Sequence, residues 1–307
     1  MGEEERRCGR RMAVLGVAGA LATLAVGDSA PATAAENTGV VGDVESLQAA
    51  AIEAFSGRDF AKATAALKRL TALEPENPSW HEALGQCYTD GAPNQDFAAA
   101  VAEYTAAIDL TPEGDAQSRA RLLAGRALAS EGQSDWRRAL DDYDAALATA
   151  AAGGLPADPY ILNCRGNVLA SLGNYAAARE AYLDSAGTFQ ATKGINSAQY
   201  AKLRQDGYAF AASNAALALV ELGDERAAAA EMEKISRRMP GNADMRAALA
   251  ALYWAEGRED DAEREWEFAC DRISVGCSKY KDKEWLANIR RWPPRMVTLI
   301  DAFVNIR

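Results

Sequence analysis

The chain has 307 residues, enough for one large domain or two modest ones, and 49% of them are hydrophobic. Alanine is frequent and proline occurs only 10 times, which favours an all-α fold. The net charge of −11 and the pI near 4.8 exclude an extended basic surface of the kind that nucleic acids require.

The amino-terminal residues 1–34 have the layout of an export signal. Arginine pairs precede an apolar run from Met12 to Val26, and Ala32-Thr33-Ala34 forms a typical cleavage site. Arg10-Arg11 before a mildly apolar run favours the twin-arginine type. The run is shorter than the roughly 20 residues that span a bilayer, although an uncleaved anchor helix is the alternative. We expect cleavage after residue 34, a linker at 35–43, and membrane contact only through an uncleaved leader.

Beyond this leader, one pattern recurs six times. In "ASLGNYAAAREAYLDSA", a turn precedes an aromatic residue, with a small residue three positions on and a bulky residue seven positions on. The residues at the aromatic position are Phe60, Phe97, Trp136, Tyr175, Glu225 and Glu259. A matching first helix precedes each copy and carries a small residue: Ala51, Gly85, Gly125, Gly166, Ala216 and Ala250. Small residues let paired helices approach closely, and the bulky ones fill the space between the turns.

The period of about 34 residues is that of the tetratricopeptide repeat, and the chain resembles this family from Val44 to Gly276. The resemblance implies an all-α, right-handed superhelical solenoid of about six helix–turn–helix repeats with a C-terminal helical cap. The expected repeats are 44–77, 78–114, 118–157, 159–192, 209–242 and 243–276, with a connector at 193–208 and a cap or tail at 277–307.

In this family, a concave groove made mainly of first helices binds peptide segments of other proteins. The candidate groove residues implied by the resemblance are Arg119, Arg126, Tyr160, Asn163, Asn167, Ser213 and Asn214. Asn167 and Asn214 match asparagines of carboxylate-binding members, whereas Asn163 replaces one of their lysines and copy six offers Asp244 and Ala248. The alternative is that these asparagines cap or bridge helices inside the protein.

The C-terminal stretch departs from the repeat. Its "GCSKYKDKEWLANIRRWPP" resembles the tail of tetratricopeptide-like proteins predicted for chloroplasts of plants and algae. The resemblance implies a docking surface for a photosynthetic complex, with Trp285, Arg290, Arg291 and Trp292 as candidates. The alternative, which we favour, is that the tail only caps apolar surface. Pro293-Pro294 would end one helix and begin the next.

Cysteine and histidine usage gives no sign of a catalytic or metal site. Cys270 and Cys277 are seven positions apart and either pair in an oxidising compartment or stay free. Cys87 and Cys164 lie on first helices, where small core residues are expected. His81 is the only histidine, so no multi-histidine metal site exists, and the glycine-containing "AAGGLPADP" lacks the lysine that a phosphate-binding loop requires. We expect no cofactor.

These features predict a non-enzymatic scaffold or assembly factor, exported to the thylakoid lumen, that binds other proteins in its groove. Photosystem or other thylakoid complex subunits are the expected partners, and nucleic acid is not. Two alternatives remain: a bacterial periplasmic adaptor, and a regulatory subunit of an enzyme complex. Neither the oligomeric state nor the partner's identity follows from the sequence.

Overall fold

A computed structural model describes residues 38–91, 93–191, 198–273 and 277–306, and these are helical with no strand among them. The predicted export signal lies outside the described residues. The chain forms two compact units, and the boundary between them falls at Ala157 and Asp158. This all-helical build from helix–turn–helix repeats confirms the predicted fold class.

The amino-terminal unit holds three helix–turn–helix pairs in its described residues. Its helices are α1 Thr38–Ser56, α2 Phe60–Leu73, α3 Pro78–Asp90, α4 Phe97–Leu110, α5 Ala116–Gly132 and α6 Trp136–Ala152. Each helix packs against the next, and the first helices α3 and α5 also pack against each other. Because α1 begins at Thr38, residues 38–43 of the predicted linker belong to the first repeat helix.

The carboxyl-terminal unit holds three further pairs and the tail. Its helices are α7 Pro159–Ser171, α8 Tyr175–Ala191, α9 Ala198–Glu221, α10 Glu225–Arg238, α11 Ala243–Ala255, α12 Glu259–Glu267 and α13 Pro294–Ile306. Short helical turns lie between α12 and α13 at Phe268–Ile273, Ser278–Lys281 and Trp285–Ile289. Residues 198–208 of the predicted connector form the first turns of the 24-residue helix α9.

Side-chain caps explain where the repeat helices begin. The residue before each of α2, α4, α6, α8 and α10 accepts a hydrogen bond from a backbone N–H three positions on, and satisfies a donor that the helix leaves unpaired. These caps are Asp59, Asp96, Asp135, Asn174 and Asp224. Arg258 precedes α12 and makes no such bond.

Close helix–helix approach follows from the predicted small residues. A Cβ added at Gly125 would lie 2.5 Å from the Tyr104 ring, and one at Gly85 would lie 3.1 Å from the same ring. In the carboxyl-terminal unit, a Cβ at Gly166 would lie 2.5 Å from the Tyr182 ring. The rings of Tyr104 and Tyr182 therefore fill the space that glycines on the first helices leave open.

The tail packs on first helices of the carboxyl-terminal unit. Helix α13 lies against α9 and α11, and it buries Met296, Ile300 and Phe303 completely. The Phe303 ring also meets the rings of Trp254 and Trp266 at centroid distances of 5.7 and 5.3 Å. This burial of apolar surface supports the capping interpretation of the tail, and it places the tail beside the predicted groove.

Cysteines serve structure in the described residues. A disulfide joins Cys270 to Cys277, and it ties the turn that follows α12 to the start of the tail. Cys87 is a buried free thiol on α3, and burial raises its pKa to about 12. A thiol with so high a pKa is unreactive near neutral pH. Cys164 is fully buried on α7 but is disulfide-bonded, so it is not a free core thiol.

Candidate peptide groove

Three asparagines meet between the first helices α7 and α9. The Asn214 amide nitrogen lies 3.5 Å from the side-chain oxygens of both Asn163 and Asn167. The Tyr182 hydroxyl donates to the Asn167 side-chain oxygen at 2.9 Å, and so fixes that amide from α8. The amides therefore form a connected polar cluster inside the carboxyl-terminal unit.

The tail places an arginine on the other side of this cluster. Arg290 Nη1 donates to the Asn214 side-chain oxygen at 3.2 Å, and Arg290 Nε donates to Asp244 Oδ2 at 2.6 Å. The guanidinium carbon lies 5.3 Å from the centroid of the Phe210 ring. Arg290 is only 5% exposed, so the tail inserts a charged group between α9 and α11. We call Phe210, Asn214 and Asp244 the guanidinium pocket.

Asp244 is the anion of this pocket. Tyr280, also from the tail, donates its hydroxyl to the second Asp244 oxygen. Burial alone would raise the pKa of Asp244, but the Arg290 charge, the Tyr280 and Arg290 hydrogen bonds and the Lys279 charge outweigh it. The pKa of Asp244 therefore lies below its ordinary value, and the carboxylate is ionised near neutral pH.

The predicted groove residues of α7 and α9 divide into buried and partly exposed groups. Asn163, Ser213 and Asn214 are buried, and Ser213 Oγ accepts a hydrogen bond from Asn242 Nδ2 at 3.1 Å. Neighbouring side chains and the tail cover these three residues in this structure, and their role in a peptide groove stays a prediction. Tyr160, which packs edge-to-face on Phe189 at 4.9 Å, is half-buried. Asn167 is half-buried as well.

The tail residues predicted for docking are also mostly covered. Arg290 and Trp292 are buried, so neither belongs to an external docking surface in this structure. Trp285 is half-buried with its ring 6.0 Å from that of Tyr280, and Arg291 is half-buried too. The physical reason is that the tail turns inward onto α9 and α11 instead of extending from the unit.

In the amino-terminal unit, the two predicted arginines make internal contacts. Arg119 Nη1 donates to the carbonyl oxygens of Ile108 and Thr111, at the end of α4. Arg126 forms a two-point ion pair with Asp142 at 2.9 and 2.7 Å. Their positive charge therefore serves helix packing within this unit, and their role in a peptide groove stays a prediction.

Sequence reasoning did not single out two charged contacts. Arg121 of α5 forms a two-point ion pair with the buried Glu82 of α3, at 2.6 and 2.8 Å, and so joins adjacent first helices. The role of Asp244 as partner of Arg290 was missed as well. A usable signal existed, because Asp244 is the only acidic residue on the alanine-rich α11.

Neither a metal centre nor a membrane span emerges from the described part of the chain. It contains no group of three histidine, cysteine or acidic side chains placed to hold a metal ion. Its helices are too short or too polar to cross a bilayer. The ring nitrogens of His81 face Glu103 Oε2 at 2.7 Å and the Pro75 carbonyl oxygen at 3.1 Å, so this histidine has structural contacts on both sides.

Comparison with known proteins identifies the repeat. A family model for the tetratricopeptide repeat matches residues 48–115 and 125–191, so these two segments are similar to tetratricopeptide repeats. No functionally curated protein matches the chain.

Several solved structures share the fold. A tetratricopeptide repeat protein from Parabacteroides merdae aligns over 86% of this chain and 99% of its own, with 18% identity and a TM-score of 0.56. BtubC (BKLC) from P. vanneervenii aligns over 74% and 90%, with 20% identity and a TM-score of 0.56. A chain of the APC/C hetero-tetramer Cut9–Hcn1 aligns over 84% of this chain but 42% of its own, with 13% identity and a TM-score of 0.54. At such identities the likeness establishes the fold alone.

Proposed function

We propose that this protein is a non-enzymatic scaffold or assembly factor that binds peptide segments of other proteins on the first helices of its repeats. The observation that carries the proposal is that the protein's own tail is bound on first helices. Residues 277–292 rest on α9 and α11, and Arg290 is held there by Asn214 and Asp244. A surface that binds one chain segment in this way has the side chains needed to bind another.

The compartment we propose is an oxidising one reached by export. The leader has the order of a twin-arginine signal, and the Cys270–Cys277 disulfide supports a location where thiols are oxidised. We favour the thylakoid lumen, with subunits of a photosystem or other thylakoid complex as partners, because of the tail's resemblance to chloroplast proteins. The periplasm is the alternative, and the disulfide suits it equally.

Peptide selection tests the scaffold function directly. A library of random peptides would be selected against the full chain, and the selected peptides assayed by fluorescence anisotropy. We expect Asn167→Ala to weaken binding of the selected peptides, because Asn167 is a half-buried amide on the first-helix face. Leu183→Ala, at an exposed leucine of the second helix α8, is the matched control. If the selected peptides bind both variants with the same affinity as the wild type, the assignment of binding to the first helices is wrong.

The compartment needs a separate measurement. The full chain with a carboxyl-terminal tag would be imported into isolated chloroplasts and, in parallel, expressed in bacteria. Processing and protease protection inside thylakoids, lost on Arg10→Lys/Arg11→Lys, would support the lumen. Processing only in bacterial periplasm would select the alternative, and an unprocessed, accessible chain in both would contradict export.

A further inference from the structure

The guanidinium pocket has a chemistry that one side chain fits fully. Asp244 supplies a negative charge, Asn214 a neutral oxygen acceptor, and Phe210 an aromatic ring on α9. A guanidinium is planar, donates in several directions and stacks on aromatic rings, whereas a lysine ammonium is a compact point charge. The pocket is therefore matched to arginine, and the chain's acidic balance of −11 favours basic ligands further.

The tail segment that places Arg290 in the pocket has local features that cost free energy when it is docked. Cys277 and Arg291, at either end of the docked segment, have φ angles of 42° and 54°, which residues other than glycine rarely adopt. Beside Arg291, the buried indole nitrogen of Trp292 has no hydrogen-bond acceptor among the residues that the structure describes. Unpaired buried donors and left-handed backbone both disfavour the docked state, so the segment is held against opposing local terms.

The docked segment is anchored at both ends by other contacts. The disulfide to Cys270 holds Cys277, and the fully buried Met296 and Ile300 hold α13. The stretch 278–293 between these anchors also buries Tyr280, Leu286 and Trp292, so its release as a loop, with α13 still packed, would expose these side chains as well. Its departure would expose Phe210, Asn214 and Asp244 together.

We propose that the guanidinium pocket is an arginine-binding site for a partner segment, and that Arg290 occupies it in cis as a competing intramolecular ligand. This rests on the proposed scaffold function and names the partner chemistry, a segment with an exposed arginine beside an aromatic residue. The apparent affinity for such a segment is reduced by the fraction of chains whose own tail is docked. A chain whose tail leaves the pocket more readily therefore binds the partner segment with higher apparent affinity.

The test uses the full chain and a fluorescein-labelled synthetic peptide of residues 278–293 as the probe. We expect Arg290→Ala to bind this probe at least about 10-fold more tightly than the wild type, because its own tail no longer competes. Adding Asp244→Asn to that variant should abolish the gain, and a probe with alanine in place of Arg290 should not bind. Arg295→Ala is the matched control, since Arg295 pairs with Glu225 outside the pocket.

Equal binding of the probe by the wild type and a folded Arg290→Ala chain would overturn the proposal, as would a gain that survives Asp244→Asn. If Arg290→Ala does not fold, hydrogen exchange of the wild type decides. Excess probe should then speed exchange of amides 284–292 and leave α7 unchanged, and no change would refute competition. A wild-type dimer with exchanged tails, found by ultracentrifugation and chemical cross-linking, would make a second copy the occupant and refute the heterologous partner.

The outcomes separate this inference from the scaffold function. If the affinity of the library peptides falls in Asn167→Ala but is unchanged in Arg290→Ala, the scaffold function is supported and the arginine pocket is refuted. Probe binding that needs Asp244, with no library peptide sensitive to Asn167→Ala, would support the pocket and refute the wider groove.

Discussion

At the scale of single residues, glycines and aromatic rings set the spacing between helices. Gly125 and Tyr104 show this most directly, because the ring occupies the place where a side chain on Gly125 would begin. The conformation of the turns also depends on single residues. Arg58, Ser134, Gly173, Gly223 and Gly257 have positive φ angles at the turn between paired helices, although two of them are not glycine.

The first residue-scale prediction concerns Gly125→Ala. The new methyl group would lie 2.5 Å from the Tyr104 ring, so we expect the free energy of unfolding to fall by about 1–3 kcal/mol. Gly187→Ala is the control, since Gly187 is an exposed residue of α8 with nothing within 4 Å of an added Cβ. Urea denaturation should show the control unchanged or about 0.5–1 kcal/mol more stable. Equal effects at both positions would contradict the packing argument.

The second prediction concerns the left-handed turn at Ser134, where φ is 60°. Glycine adopts this conformation without steric cost, so Ser134→Gly should stabilise the chain by up to about 1 kcal/mol. Gly223→Ala, at a φ of 84°, should change stability in the opposite direction. Thermal denaturation of both variants measures this, and shifts of the same sign would argue against backbone strain as the cause.

At the scale of elements, the residue before each second helix bears on the turn together with the residue at the aromatic position after it. Five of these residues cap the helix that follows, and α12 alone among the second helices begins after an uncapped Arg258. Glu225 and Glu259 replace the aromatic residue in copies five and six, yet α10 and α12 begin at these positions. The turn therefore depends on capping and backbone conformation as well as on the ring.

The element-scale prediction is that Asp135→Ala destabilises the chain by about 0.5–2 kcal/mol, because Asp135 caps α6 through the Arg138 N–H. Asp135→Asn should cost much less, since the amide oxygen still accepts that bond. Asp141→Ala, at an exposed position within α6, is the control for loss of charge. The urea midpoint is the measurement, and equal losses from Asp135→Ala and Asp141→Ala would show that charge, not capping, matters.

At the scale of the carboxyl-terminal unit, one carboxylate joins α11 to two parts of the tail. Asp244 accepts hydrogen bonds from Arg290 and from Tyr280, which are ten positions apart in the chain. Removing one partner of a buried ion pair leaves the other charge uncompensated. We therefore expect Asp244→Asn to destabilise this unit by about 3 kcal/mol near neutral pH.

The pH dependence of that loss is the fourth prediction. The folded-state pKa of Asp244 lies below its ordinary value of 3.8, so its stabilising effect is complete above that value. The effect is lost as the pH falls through the folded pKa. Urea denaturation of the wild type and Asp244→Asn, from about pH 7 to about pH 2.5, should show a difference that is constant above pH 3.8 and shrinks below it. A difference that stays constant across this range would contradict an ionic role.

Much of the fold was determined by local sequence signals. Six small residues on first helices and six second-helix starts predicted the paired helices, since helix periodicity and close packing are readable from residue spacing. Residues 38–43, which the sequence predicted as linker, are helical in the structure. The disulfide was left open in the sequence because pairing depends on how the chain turns after α12.

The candidate site was determined largely by tertiary structure. The sequence placed Asn163, Asn167, Ser213 and Asn214 on first helices, but whether these residues face a ligand or a neighbouring segment depends on what packs there. Arg290 meets Asp244 across 46 residues of sequence, and no local pattern links two positions so far apart. The sequence by itself therefore determined the repeat and its helices through short-range packing and capping. Only the tertiary structure decided that the tail turns back and fills part of the predicted groove, since long-range burial and charge pairing set that path.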